Sequence, residues 1–106
     1  MAVKKTTGLT FGEATSRAKA GEAVARASWS KYEMFAYIVP TASYPAKTEV
    51  AKKRFGENGL VPYQAYWALC TIKDEVIPWN PYGSDVLAND WLVYEVKPKE
   101  SPNGNS

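Results

Sequence analysis

The chain has no histidine and a single cysteine among its 106 residues. Without histidine, the usual general base and metal ligand of neutral-pH chemistry are both missing. The one cysteine, Cys70, has no partner for an intrachain disulfide; it sits in an apolar stretch and reads as a small buried hydrophobe. No apolar run approaches the roughly 20 residues that span a bilayer. The start, MAVKKTTGLTFGEA, lacks the apolar stretch of a secretion signal, so the expected compartment is the cytosol. An excess of one charge is also missing: 13 Lys and Arg face 11 Asp and Glu, a net charge of +2. Nonspecific nucleic-acid binding rests on a pronounced basic patch, and only Lys47, Lys52, Lys53 and Arg54 come near one. A polyanion is disfavoured as partner, whereas a small anion held by a few Lys or Arg fits.

What is present is apolar and aromatic. Hydrophobic residues make up 45% of the chain, with four Trp, seven Tyr and three Phe. That is enough for one core in one domain, with rings to spare for contacts outside it. The densest segment is IPWNPYGSDVLANDW, Ile77 to Trp91, which holds a Pro-Trp pair, a short helix signal and Asn89-Asp90-Trp91. No nucleophile with a base beside it, metal cluster or phosphate-binding glycine loop accompanies it. Aromatics and acids without a catalytic set suit holding a ligand better than transforming one.

Local patterns set the expected elements. Thr10 and Glu13 are spaced as a capping box, predicting a helix to about Ala20 with Gly21 as its stop. Glu22 to Trp29 and Met34 to Val39 read as strands. Thr41 to Pro62 is an irregular insert in which Thr48 to Phe55 forms a short helix stopped by Gly56. Tyr66 to Lys73 is a strand, and a turn at Asp74-Glu75 leads into Val76 to Trp79 as a hairpin. Ser84 is expected to cap a one- or two-turn helix through Ala88, and Trp91 to Val96 is the last strand. The expected fold is α+β: a small antiparallel sheet with the N-terminal helix packed on it and short helical insertions. The expected divisions are a flexible start at 1–8, a single ligand-binding domain at 9–96 and a disordered tail at 97–106.

In order and spacing, TFGEA at 10–14, the Gly21 stop, VARASW at 24–29, MFAYIV at 34–39 and the run from Ile77 to Trp91 resemble the second family of Thoeris anti-defence proteins. These are phage-encoded sponges for nucleotide immune signals. The resemblance covers about Leu9 to Val96, and the insert at 41–62 departs most from the pattern. It implies a non-enzymatic protein, without cofactor, acting in the cytoplasm of the infected bacterium. It implies binding of glycocyclic ADP-ribose without cleavage, so that the Thoeris effector stays off. It also implies a homo-oligomer, typically a tetramer, with pockets at subunit interfaces. Some relatives also hold cyclic oligonucleotides of another phage-defence pathway in a separate site.

Such a ligand needs flat surfaces for its base, cations or N–H groups for its pyrophosphate and acceptors for its hydroxyls. Trp79, stiffened by Pro78 and Pro81, is the leading stacking candidate. Trp29, between two serines at a strand end, and Phe11, opening a helix at an anion-friendly place, are the next. Arg26, alternating with Val24, and Arg54, beside Lys53, are phosphate candidates. Each also fits a plain solvated charge. Asp85 and Asp90 could accept ribose hydroxyls, or serve a helix dipole and a turn. Trp91 and Trp67 read as core. The competing functions are a sponge for cyclic oligonucleotides, a small single-stranded nucleic-acid binder, an enzyme using paired carboxylates, and a module that binds a phage or host protein.

Overall fold

The first helix begins where its capping chemistry sets it. In the computed structural model, which describes residues 5–98, α1 spans Phe11–Lys19. The Thr10 side chain accepts from the Glu13 N–H at 3.1 Å, and the Glu13 carboxylate accepts from the Thr10 N–H at 2.9 Å. That bond holds the Glu13 carboxyl below its ordinary range. Gly21 follows the helix with φ +101°, a conformation glycine adopts without a Cβ penalty.

The strands are β1 (Ala23–Arg26), β2 (Phe35–Val39), β3 (Ala42–Pro45), β4 (Leu60–Tyr63), β5 (Tyr66–Cys70), β6 (Val76–Pro78) and β7 (Trp91–Tyr94). Five of them form one antiparallel sheet in the order β6-β5-β2-β1-β7. The register pairs Val24 with Ala36 and Val93, and Ala36 with Leu69. These residues therefore share one face. On that face α1 lays Ala14 and Ala18, and Leu9, Val24, Ala36, Leu69 and Trp91 complete the buried cluster. Small alanines on α1 and β2 let helix and sheet approach closely. The segment before α1 also joins the sheet edge: Thr6 O accepts from Val93 N at 2.9 Å, and Leu9 and Trp91 exchange backbone bonds. Residues 1–4 and 99–106 of the expected flexible ends lie outside the described residues.

The helix-on-sheet arrangement is the α+β fold expected, with three differences of detail. Trp29 does not end a strand. The chain leaves β1 after Arg26, Trp29 N donates back to Arg26 O at 2.9 Å, and a single 3-10 turn follows at Ser30–Tyr32. The insert is more regular than its sequence: β3 and β4 pair as a separate two-stranded ribbon around α2 (Glu49–Phe55), which Thr48 caps as expected. Pro45 and Pro62 disguise those strands, yet a two-stranded ribbon tolerates proline because each strand is an edge. The last helix, α3, spans Gly83–Leu87 with Tyr82 at its cap position instead of Ser84. There the Asp85 carboxylate reaches back to the Tyr82 N–H at 2.9 Å.

Candidate functional site

Five rings gather on the helix-bearing face, beyond the N-terminal end of α1. Each is delivered by a different element. Phe11 opens α1, Trp29 sits in the turn after β1, Trp67 lies on β5, Trp79 follows β6 and Trp91 starts β7. Trp79 N donates to Trp67 O at 3.0 Å, extending the ladder one residue past β6 and fixing the indole on this face. Trp91 is fully buried at the centre. Around it stand Trp29 at 5.4 Å, Phe11 at 5.5 Å and Trp79 at 6.1 Å between ring centroids. Trp79 also meets Trp67 at 5.4 Å and Trp29 at 5.6 Å, nearly edge-on at 83° and 82°. Such pairs are worth about 0.5–1.5 kcal/mol each beyond area burial. The four outer rings are only half-buried, so they support the core and still present surface.

Beside the rings lies a three-membered charge cluster. Arg26 ends β1 and directs Nη1 to Asp85 at 2.7 Å and Nε to Asp90 at 2.5 Å. Its guanidinium carbon stands 5.9 Å from the Trp91 ring centre, a cation–π contact. Asp90 first, and Asp85 after it, hold the guanidinium further in its charged form against the opposing effect of burial. Asp85 is itself buried, and its backbone carbonyl accepts from Trp91 Nε1 at 2.8 Å. The cluster carries one positive and two negative charges. It is therefore an acceptor surface on its Asp90 side, where the carboxylate side chain keeps 44% exposure.

The structure thus brings together Phe11, Arg26, Trp29, Trp79, Asp85 and Asp90 from the sequence-based candidates. It does not bring Arg54 to them. Arg54 is exposed on α2, which packs against β4 in the ribbon, and it makes no ion pair or hydrogen bond among the described residues. Phe11 does open α1, but the Glu13 carboxylate occupies the approach to the helix start, so that end does not favour an anion. Trp67 was assigned to the core by its place inside a strand. Its register opposite Ile38 places it on the helix-bearing face, where it packs, half-buried, against the core cluster at the rim of the rings. Tyr44, Tyr63 and Tyr66, which no local sequence pattern singles out, line with Lys47 a groove of about 370 Å³ between the ribbon and the end of the main sheet.

Among the described residues no group of His, Cys, Asp and Glu is placed to hold a metal ion. No described helix is long and apolar enough to cross a membrane.

The fold is a helix-on-sheet module that sets half-buried rings beside an Arg26–Asp85–Asp90 cluster on one face. The model of the Thoeris anti-defense 2-like domain matches residues 9–94, and the chain belongs to that family. Membership carries with it a Thoeris anti-defence function. A search of curated proteins finds no match to the chain.

Proposed function

We propose that this protein is a sponge: it binds glycocyclic ADP-ribose in the cytoplasm of the infected bacterium and holds it uncleaved, so that the Thoeris effector is not activated. The observation that carries the reading is the half-exposed ring cluster beside the Arg26–Asp85–Asp90 group, in a member of this family. Trp79 and Trp29 offer surfaces for the base, at roughly 1–3 kcal/mol per stacked base. The Asp90 carboxylate takes Arg26 on both oxygens, the second at 3.4 Å, and its exposed side keeps acceptor capacity for ribose hydroxyls.

Phosphate poses a separate requirement. Arg26 is already engaged by two carboxylates, so a pyrophosphate needs further cations. Lys53 and Arg54 have no ion pair among the described residues, but they lie on the insert. In a homotetramer with pockets at subunit interfaces, the insert of a neighbouring subunit would supply them. Exposed apolar residues on α3 beside the site, Tyr82 at 77% and Leu87 at 81%, are surface that a neighbouring subunit would cover.

The test is bind-and-release. Purified protein is incubated with glycocyclic ADP-ribose, cyclic di- and trinucleotides and NAD, freed of unbound ligand and heat-denatured, and the released compounds are weighed. Unchanged glycocyclic ADP-ribose is expected from the wild type. The folded Trp79→Ala variant should retain it at least about tenfold more weakly, the equivalent of about 1.4 kcal/mol. A product of altered mass would make the protein an enzyme. Release of a cyclic oligonucleotide alone would keep the sponge and change its signal. Retention of no nucleotide would sink the reading.

A further inference from the structure

The ribbon continues the β2–β5 pair. Val39 pairs with Tyr66 on the main sheet, and Ala42 pairs with Tyr63 on the ribbon, so one register runs through the break at Pro40–Thr41 and Gln64–Ala65. The groove of about 370 Å³ lies at this elbow, lined by Tyr44, Tyr63 and Tyr66 together with Pro40, Pro45 and Lys47. Tyr44 and Tyr63 sit diagonally across the ribbon, with ring centroids 5.9 Å apart and planes at 50°. All three rings are about half exposed. Their hydroxyls make no hydrogen bond, and Lys47 makes no ion pair, among the described residues. No acidic side chain lines the groove.

The edges of the ribbon limit what can fill the groove. The Ala46 N–H donates to Gly59 O at 3.0 Å, which makes Ala46 and Gly59 a hydrogen-bonded pair. Alternation along the antiparallel ladder then bonds Tyr44 to Val61 and Ala42 to Tyr63, and turns the backbone of Ser43, Pro45, Leu60 and Pro62 outward. Proline thus takes one of the two outward positions of each strand, where its missing N–H denies a donor to an added strand. A small molecule is poorly served as well. A ligand pocket encloses most of its guest, whereas these rings stand half in solvent.

We propose that the groove docks an acidic, proline-containing segment of a partner protein in the polyproline II conformation. Such a segment makes no ladder hydrogen bonds and lies in an aromatic groove with its other side in water. Its prolyl rings rest on the faces of Tyr44, Tyr63 and Tyr66. Its carbonyls, unpaired within the segment, accept from the free phenol hydroxyls. Its stiffness keeps the cost of ordering low. Charge selects an acidic flank over a basic one, because the wall holds one unpaired cation, Lys47, and no carboxylate.

The test uses two fluorescein-labelled peptides, EDPPLPPED and KKPPLPPKK, titrated with the full chain up to about 200 μM, which reaches the weak affinities of small interfaces. Fluorescence anisotropy reads the binding. The acidic peptide should bind at least about fivefold more tightly than the basic one. Tyr63→Ala should weaken it by about tenfold or more, and Lys47→Glu should reverse the preference. Both positions are exposed, so both variants should fold, as circular dichroism will verify. Trp79→Ala should bind the peptide as the wild type does, and Tyr63→Ala should retain glycocyclic ADP-ribose as the wild type does, so this inference and the sponge can fail separately. No rise in anisotropy with either peptide overturns the inference, as does equal binding of both. Peptide binding that survives Tyr63→Ala also overturns it, and its loss in Trp79→Ala instead would place the peptide on the ring cluster. Phenyl phosphate that shifts the tyrosine resonances where neither peptide binds would make the groove a small-anion pocket and overturn the inference too.

Discussion

Trp91 donates its indole N–H to the backbone carbonyl of Asp85 at 2.8 Å, which ties the buried centre of the ring cluster to the short helix that holds the acidic residues. The same Asp85 takes Arg26 on one carboxylate oxygen and the Tyr82 N–H on the other. One residue therefore links β1, α3 and β7. Ring cluster and charge cluster form a single unit, and a change in either should be felt by both.

Replacing Trp91 separates its two roles. Trp91→Ala should cost about 3–5 kcal/mol, the range for deleting a large buried ring. Trp91→Phe keeps most of the apolar volume but removes the indole donor, leaving the Asp85 carbonyl with only the longer bond from the Ala88 N–H at 3.4 Å, a loss of about 0.5–1.5 kcal/mol. Urea unfolding followed by circular dichroism gives both values, and a Trp91→Phe cost near zero would mean that the indole N–H contributes nothing.

The two carboxylates on Arg26 should not be equivalent. Asp85→Ala removes a buried partner and frees the Tyr82 N–H, for about 3–5 kcal/mol. Asp90→Ala removes a half-exposed partner and should cost at most about 1 kcal/mol. If denaturation gives the reverse order, Asp85 is not the keystone of the cluster.

The α1 cap should be sensitive to acid. Glu13 is held below its ordinary pKa of 4.5, first by the hydrogen bond from the Thr10 N–H. A lowered folded-state pKa means that the contribution is fully present above 4.5 and fades as pH falls through the lower folded value. The stability difference between wild type and Glu13→Gln should accordingly narrow as pH is taken from about 6 to about 3. A difference that stays constant over that range would falsify the role given to the charged form.

The insert should respond locally to Gly59→Ala. A Cβ at this position would overlap the Phe55 carbonyl, so the corner between α2 and β4 must open. Amide exchange at Ala46, whose N–H donates to Gly59 O at 3.0 Å, should speed up by about tenfold or more. The main sheet should exchange as before, since the ribbon is a separate sheet.

Subunit sharing can be read from mixed assemblies. Trp79→Ala subunits lack the stacking ring, and Lys53→Glu/Arg54→Glu subunits lack the insert cations. Each alone should fail to retain glycocyclic ADP-ribose. After unfolding and refolding together they should regain part of the retention, because some sites then draw an intact ring and intact cations from different chains. No recovery in mixed assemblies shown by mass to have formed would mean that the insert does not act across the interface.

Much of this molecule could be read locally. The Thr10–Glu13 box, the Gly21 stop, the helix at Thr48 to Phe55 and the pairing of the strand from Tyr66 with that from Val76 are short-range patterns, though β5 ends at Cys70, three residues before the expected Lys73. The ribbon was not legible, because Pro45 and Pro62 contradict strand propensity and only the pairing partner makes them acceptable. Trp29 and Trp67 could not be placed either. For Trp29, a turn closed by a backbone bond to Arg26 replaced the expected strand end; for Trp67, the face depends on register with β2, a long-range property.

The sequence by itself determined the class: a small α+β chain without histidine chemistry or a disulfide, with aromatic side chains beyond the needs of its core. Capping boxes, alternation and composition act over a handful of residues and need no partner. Only the tertiary structure decided that Arg26, Asp85 and Asp90 meet and that Arg54 stands apart from them. Those facts depend on which strands lie side by side and in what register. A shift of one residue would turn every side chain of a strand to the opposite face.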